Sequence, residues 1–116
     1  MIYDCFVLNS KAKAIYYIGS QEVLQPLNVV TAATDVGKTT IIVEPGELTG
    51  AKRVYKTSNT TPTAVAYGDA LTTGWTELTS NGLEITPTSG HTWVQVAELD
   101  ADNKAIAVGT SVLNIG

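Results

Sequence analysis

The sequence has few of the residues from which catalytic and metal sites are built. Its 116 residues include one cysteine and one histidine, Cys5 and His91. A single cysteine excludes an intrachain disulfide and a multi-cysteine zinc site. One imidazole, one thiol and scattered carboxylates match no recognised metal-ligand spacing, so we expect no metal and no cofactor. A nucleophilic Cys5–His91 pair is the remaining option, but Cys5 lies in an apolar stretch, as a small core residue would.

Positive charge is also scarce. Seven Lys and Arg stand against eleven Asp and Glu, which gives a net charge of −4. Beyond residue 57 the only basic residue is Lys104. Such a surface lacks the basic patch that phosphate backbones and anionic membranes require. We therefore expect neither nucleic acid nor a membrane as a partner.

Long apolar runs are absent as well. No uninterrupted apolar run has the length needed to span a bilayer. At the N-terminus, Asp4 precedes a short apolar run and lysines follow it, which is the reverse of a signal peptide. The sequence thus predicts a protein that is made in the cytoplasm without its own export signal.

The residues that are abundant favour strands. Apolar residues make up 44% of the chain, and seventeen threonines accompany many Val and Ile. These β-branched side chains pack well on a pleated sheet and lose rotamer freedom in helices. Short apolar segments recur about every ten residues between Gly, Pro, Asn and Asp clusters, as in antiparallel sandwiches and barrels. The predicted strands are 2–8, 13–18, 23–30, 38–44, 51–57, 63–67, 75–78, 83–86, 92–99, 104–109 and 111–115.

The clearest strand pair lies near the C-terminus. Val94 and Val96 fall on one face of a strand, and Ile106 and Val108 repeat that alternation after the polar stretch "DADN". Alternation on both sides of a turn predicts a hairpin. The acidic turn also resembles a calcium loop, but the glycine and glutamate that an EF-hand needs at its sixth and twelfth positions are absent.

Residues 32–39 match a relaxed nucleotide-binding P-loop in spacing, with Ala32 followed by Gly37, Lys38 and Thr39. A working P-loop opens a helix, whose N-terminal N–H groups hold the phosphates. Here "TTIIVEPG" follows Lys38, and its β-branched residues favour a strand. We interpret the stretch as a turn between two strands and predict no enzymatic activity.

Residues 67–115 carry a likeness to a known group of proteins. The segments "TGWTEL", "GLEITPTSG", "VQVAELD" and "KAIAVG" follow one another as strands and turns. In this order they resemble the small immunoglobulin-like domains of tailed-bacteriophage virion proteins, which include capsid decoration proteins, head fibres and tail proteins. The resemblance is close over about fifty residues and looser over about eighty. Within it, the strands recur at the spacing typical of immunoglobulin-like domains. It implies a non-enzymatic part of a particle.

The sequence therefore predicts an all-β fold, an immunoglobulin-like antiparallel β-sandwich with an extra N-terminal β element. We assign residues 37–116 to the sandwich and residues 1–36 to a hairpin or arm for docking or oligomerisation. The function implied is that of a capsid decoration protein located in the virion. Its expected partners are the major capsid protein or another virion protein and further copies of itself.

A carbohydrate-binding or adhesive module, from a phage tail or a bacterial surface protein, is the alternative. Exposed aromatic side chains form platforms for sugars and for partner proteins. Tyr16, Tyr17 and Trp75 are the candidate contacts with a partner or a surface glycan.

Overall fold

A computed structural model describes residues 23–116 of the chain. The strands predicted at 2–8 and 13–18 lie outside the described residues, as do Cys5, Tyr16 and Tyr17. Residues 23–116 form strands and connecting loops and contain no helix. The strands are β1 (Gln25–Pro26), β2 (Asn28–Ala33), β3 (Thr39–Glu44), β4 (Lys52–Ser58), β5 (Thr76–Glu77), β6 (Leu83–Ile85), β7 (Trp93–Leu99) and β8 (Ala105–Val112).

The strands form two sheets. The five-stranded sheet has the order β1-β8-β7-β4-β5, and the three-stranded sheet has the order β2-β3-β6. All neighbours pair antiparallel except β1 and β8, which run parallel. This arrangement confirms the predicted all-β, immunoglobulin-like sandwich.

Alternating side chains build the core between the two sheets. In β3, Thr39, Ile41 and Val43 are buried while the residues between them are more exposed. From the facing sheet, Val94 and Val96 are fully buried. Because successive side chains of a strand point to opposite faces, this alternation places one face of each strand in the core.

The N-terminal boundary of the sandwich lies earlier than the predicted residue 37. β1 pairs with β8, and β2 pairs with β3 along its whole length. The chain passes from one sheet to the other at Leu27, which lies between β1 and β2. Both Leu27 and Val29 belong to the main core. Within the predicted 1–36 element, residues 25–33 are therefore integral strands of the sandwich.

Gly109 permits this crossing. A Cβ at Gly109 would overlap the carbonyl oxygen of Leu27 and approach Val29 Cγ2 to 2.9 Å. The Leu27 N–H meanwhile donates to the Val108 carbonyl at 2.9 Å. The backbone of β8 and the crossing segment thus touch at a point where only glycine fits.

A second, smaller apolar cluster lies beneath the long connection between β4 and β5. Buried Val54, Ala97, Leu99 and Ala105 form its base, and this explains why β7 is buried on both faces. The partly buried residues that cover this satellite cluster are Leu24, Val65, Leu71, Trp75 and Val108.

Three strand predictions differ from the structure. The predicted strand 23–30 is two strands, β1 and β2, which belong to different sheets. Residues 63–67 form no strand, because the connection crosses the sheet as a cover and is held by a bond from Gln95 Nε2 to the Thr63 carbonyl of 2.9 Å. The predicted strands 104–109 and 111–115 are one strand, β8, that continues through Thr110.

Candidate functional site

The P-loop-like stretch is a turn between β2 and β3, as predicted. The Lys38 N–H donates to the Asp35 carbonyl at 2.9 Å, and Gly37 has a positive φ of 74°. The Gly37 N–H, which a P-loop would direct at a phosphate, donates instead to the Gly116 carbonyl at 2.7 Å. Strand β3 follows the turn, so no helix N-terminus is available to hold an anion.

His91 and the acidic turn also have structural roles. The His91 Nδ1 lies 2.7 Å from the Thr57 hydroxyl. Asp100 Oδ1 accepts bonds from the N–H groups of Asp102 and Lys104, at 2.9 and 3.0 Å, and this closes the predicted β7–β8 hairpin. Within residues 23–116 no group of three or more His, Cys, Asp or Glu is placed to hold a metal ion. The same residues include no helix long and apolar enough to cross a membrane.

A buried ion pair closes one end of the sandwich. Arg53 and Glu98 are direct cross-strand neighbours on β4 and β7, and their side chains are 5% and 3% exposed. Arg53 Nε donates to Glu98 Oε1 at 2.9 Å, and a second Arg53 nitrogen donates to the Pro45 carbonyl. Glu98 Oε2 accepts the Leu48 N–H at 3.2 Å. The pair therefore fastens the β3–β4 loop to the sheet beneath it.

Trp75 lies in a shallow groove over the satellite cluster. The groove has a volume of about 230 Å³. Trp75 is half-buried against the satellite cluster, and the Lys56 ammonium lies 4.8 Å from the centre of its ring. This cation–π contact occupies part of the aromatic surface that a ligand would use. The polar residues around the groove are Lys52, Thr72, Glu77 and Asn103.

Of the three aromatic contacts predicted from the sequence, the structure places only Trp75, since Tyr16 and Tyr17 lie outside the described residues. Trp75 combines a buried, structural side with a surface that borders polar groups. Such a combination suits weak recognition of a sugar or a peptide once Lys56 moves aside.

An exposed apolar pair lies on the outer face of the three-stranded sheet, on its strands β2 and β3. Val30 and Ile42 are directly opposite each other on β2 and β3 and are 48% and 37% exposed. Two exposed carboxylates lie on the same face. Glu44 is two residues beyond Ile42 on β3, and Glu84 on β6 is opposite Thr40 of β3. We call this surface, formed by Val30, Ile42, Glu44 and Glu84, the sheet face.

A second apolar surface lies beside β1. It is a groove of about 250 Å³. Val23, Leu48 and Tyr67 in its walls are 60%, 63% and 39% exposed. We call it the Ile106 groove; its lining residues are Val23, Gln25, Leu48, Tyr67 and Ile106.

Sequence reasoning did not find the Ile106 groove because a β-bulge creates it. Glu98 pairs with Ala107 and Leu99 pairs with Ala105, so Ile106 is an extra residue with no partner on β7. A bulge of this kind redirects the side chain of the extra residue. Simple alternation placed Ile106 on the same face as Val108, and nothing in the local sequence marks the irregularity.

No family model and no curated protein matches the chain. Two solved structures are similar to it. One is the surface layer protein SbsC, domains 4–9, with a TM-score of 0.60 and 23% identity over 82% of this chain. The other is the S-layer protein SbsC, domains 7, 8 and 9, with a TM-score of 0.57 and 21% identity over 82% of this chain.

The match covers 15% and 28% of those two chains. These shares correspond to roughly one domain of six and one of three, the size of a single sandwich domain. At this level of identity the likeness shows the fold alone.

Proposed function

We propose that this chain is a non-enzymatic structural protein that attaches to a large, multi-copy particle. More specifically, we propose a capsid decoration protein of a tailed bacteriophage, located in the virion and bound to the major capsid protein or another virion protein. The sequence resemblance of residues 67–115 supports the phage assignment. The fold likeness to domains of a surface layer protein supports the broader idea of a sandwich domain used in a surface array.

The observation that carries the proposal is the sheet face. Two β-branched side chains stand exposed and directly opposite each other on the outer face of a regular sheet, where polar residues normally face water. Exposed apolar surface that is bordered by charge is typical of protein–protein contacts. The carboxylates of Glu44 and Glu84 would favour a partner whose apolar patch is bordered by Lys or Arg.

The affinity available from this contact suits attachment in many copies. Full burial of a Val or Ile side chain contributes about 1.5–3 kcal/mol. Val30 and Ile42 are roughly half exposed, so covering both adds about 2 kcal/mol at each contact. That is weak for a single complex, but copies that associate with one another on the particle multiply the effect. We therefore propose that the bound form is a homo-oligomer.

The test replaces the apolar pair without disturbing the strand. Val30→Thr with Ile42→Thr keeps β-branched side chains and removes apolar area. The matched control is Val112→Thr, because Val112 is 50% exposed but lies on the five-stranded sheet. We expect the double variant to cosediment with decoration-free particles about tenfold more weakly, as a loss near 1.4 kcal/mol predicts, while the control binds normally.

Equal binding of the double variant and the wild type would refute a docking role for the sheet face. If mass spectrometry found no copy of the chain in purified particles, the phage assignment itself would be wrong. Circular dichroism of each variant shows whether the fold is intact.

The Trp75 groove favours a second candidate, a carbohydrate-binding or adhesive module. An aromatic ring beside Lys52, Thr72, Glu77 and Asn103 offers both stacking and hydrogen bonds to a sugar. Because Lys56 covers part of the ring, Lys56→Ala should strengthen glycan binding if the ring is the platform. A glycan array without signal for both the wild type and Lys56→Ala would remove this candidate.

A further inference from the structure

A small pocket lies at the end of the sandwich where the Arg53–Glu98 ion pair is buried. Its volume of about 130 Å³ is several times the roughly 30 Å³ that one water molecule occupies in the liquid. Pockets for whole drug-sized molecules begin at roughly 300 Å³, so this one suits a single end group of a larger ligand. We call it the Arg53 pocket; its lining includes Glu47, Arg53, Leu78, Thr79 and Ser80.

Arg53 presents a charged hydrogen-bond donor to this pocket. Its Nε donates to Glu98 Oε1 at 2.9 Å, and its Nη2 donates to the Pro45 carbonyl. Within residues 23–116 its Nη1 has no hydrogen-bond partner, and Gln95 Oε1 is the one unpaired side-chain atom there that is shut off from solvent. Nη1 is therefore open to solvent. Because the Arg53 side chain is 5% exposed and lines the pocket, the pocket is where Nη1 is reached.

The walls of the Arg53 pocket are held by hydrogen bonds on both sides. The Leu48 N–H, in the β3–β4 loop, donates to Glu98 Oε2 at 3.2 Å. The Leu78 N–H, at the end of β5, donates to the Arg53 carbonyl at 2.8 Å. The guanidinium and the walls around it are thus in place before a ligand arrives, which lowers the cost of binding.

The charges around the pocket favour a neutral acceptor over an anion. Glu98 already supplies the counter-charge of Arg53, and exposed Glu47 adds a negative charge at the rim. That charge would repel a phosphate or a carboxylate, whereas a neutral carbonyl oxygen would accept from Nη1 without this penalty. An N–H beside the carbonyl would donate to Glu47, and buried Leu78 offers an apolar wall for a methyl group. A carbonyl, an N–H and a methyl group together form an acetamido group.

The strand edge beside the pocket is closed to an extended peptide. Asn81, which also lines the pocket, accepts the Val43 N–H at 2.8 Å and donates to the Val43 carbonyl at 3.3 Å. This part of β3 is therefore already paired and has no free backbone groups for an added strand. An amino sugar needs no such edge. Its hydroxyls lie next to its acetamido group, and the exposed Thr79 and Ser80 at the rim offer hydrogen bonds to them.

We propose that the Arg53 pocket binds the acetamido group of an N-acetylated amino sugar, with its carbonyl oxygen on Arg53 Nη1 and its N–H on Glu47. This site is separate from the Trp75 groove. Arg53 lies on the opposite face of β4 from Lys52 and Val54, which line that groove. The proposal is independent of the phage assignment, because it concerns the isolated chain.

The experiment titrates the full, isotope-labelled chain with N-acetylglucosamine and follows the backbone amide resonances by NMR. We expect shifts concentrated at residues 46–47 and 78–81, and no comparable shifts with glucose, which lacks the acetamido group. Glu47→Ala should weaken binding about tenfold, because a hydrogen bond to a charged group is lost. The matched control is Asp102→Ala, which removes an exposed carboxylate from the β7–β8 turn and should leave binding unchanged.

A second variant tests the donor itself. Arg53→Met with Glu98→Leu removes Nη1 together with its counter-charge, so it should abolish the shifts while the fold is kept. Circular dichroism of each variant verifies the fold. The exposed position of Glu47 keeps the test valid even if the double variant does not fold.

The other outcomes overturn the proposal. An absence of shifts at residues 46–47 and 78–81, equal shifts with glucose, or normal binding by Glu47→Ala would each show that no acetamido site exists there. Tighter binding of acetate would make the pocket an anion site, and tighter binding of N-acetylglycinamide would make its ligand a peptide. Shifts confined to the Trp75 groove would place the sugar there instead.

Discussion

The Arg53–Glu98 pair offers the sharpest test of how this sandwich is stabilised. In Glu98→Gln the side chain keeps its shape but loses its charge, so the Arg53 guanidinium stays buried without a counter-ion. Only the Pro45 carbonyl and the neutral amide would remain as its partners. Removing one member of a buried pair typically costs about 3–5 kcal/mol, because the other charge is left uncompensated.

We therefore expect Glu98→Gln to lower the free energy of unfolding by about 3 kcal/mol. For a domain of this size that loss lowers Tm by roughly 12–24 °C. Urea unfolding followed by tryptophan fluorescence measures the change, with Trp75 and Trp93 as reporters. The control is Glu77→Gln, an exposed carboxylate on β5, which should change stability by less than about 0.5 kcal/mol.

A double variant separates the cost of an unpaired charge from the value of the pair. Arg53→Met with Glu98→Leu removes both charges and fills similar volume, so it should recover most of the stability that Glu98→Gln loses. The Pro45 carbonyl and the Leu48 N–H belong to exposed residues, where water can replace the lost bonds. A single variant that costs under about 1 kcal/mol, or a double variant no better than the single one, would refute this reasoning.

Three further predictions test other parts of the structure. Gly109→Ala should cost about 2 kcal/mol because its Cβ overlaps the Leu27 carbonyl, whereas Gly46→Ala, with open space around it, should be near neutral in the same urea assay. Burial raises the pKa of the Tyr55 hydroxyl above its ordinary 10.0. The contribution of Tyr55 to stability is therefore present below pH 10.0 and is lost as pH rises through the raised pKa. Tyr55→Phe should reduce that loss in alkaline unfolding titrations. Lys38→Ala should leave stability unchanged. Calorimetry should find no ATP binding by the wild type or by Lys38→Ala, because the Gly37 N–H already donates to the Gly116 carbonyl. ATP binding by the wild type that Lys38→Ala abolishes would restore the P-loop interpretation.

Strand positions could be predicted where burial follows simple alternation. β3 and β7 each place β-branched residues in the core at every second position, as Ile41, Val43, Val94 and Val96 show. The turn after β7 could also be predicted, because Asp100 supplies the carboxylate that closes it. In these segments the local pattern and the tertiary environment favour the same structure.

The sequence was a poor guide where a long-range contact decides the structure. Val65 and Tyr67 alternate as in a strand, yet their segment is a loop that covers the satellite cluster. Arg53 and Glu98 have the composition of surface residues, and only their cross-strand register buries them together. The bulge at Ile106 depends on the pairing of β7 with β8, which no local pattern encodes.

The two exposed apolar surfaces lie on different sheets, so their contributions to binding can be tested separately. Val30 and Ile42 lie on the outer face of the three-stranded sheet, where a second molecule is able to cover them. The Ile106 groove lies beside β1, at the edge of the five-stranded sheet. Because the surfaces lie on different sheets, a substitution in one should leave the other's contact intact. Binding to particles that is weakened by replacing Val30 and Ile42, but not by replacing exposed Leu48, would show that the sheet face and not the Ile106 groove attaches the protein.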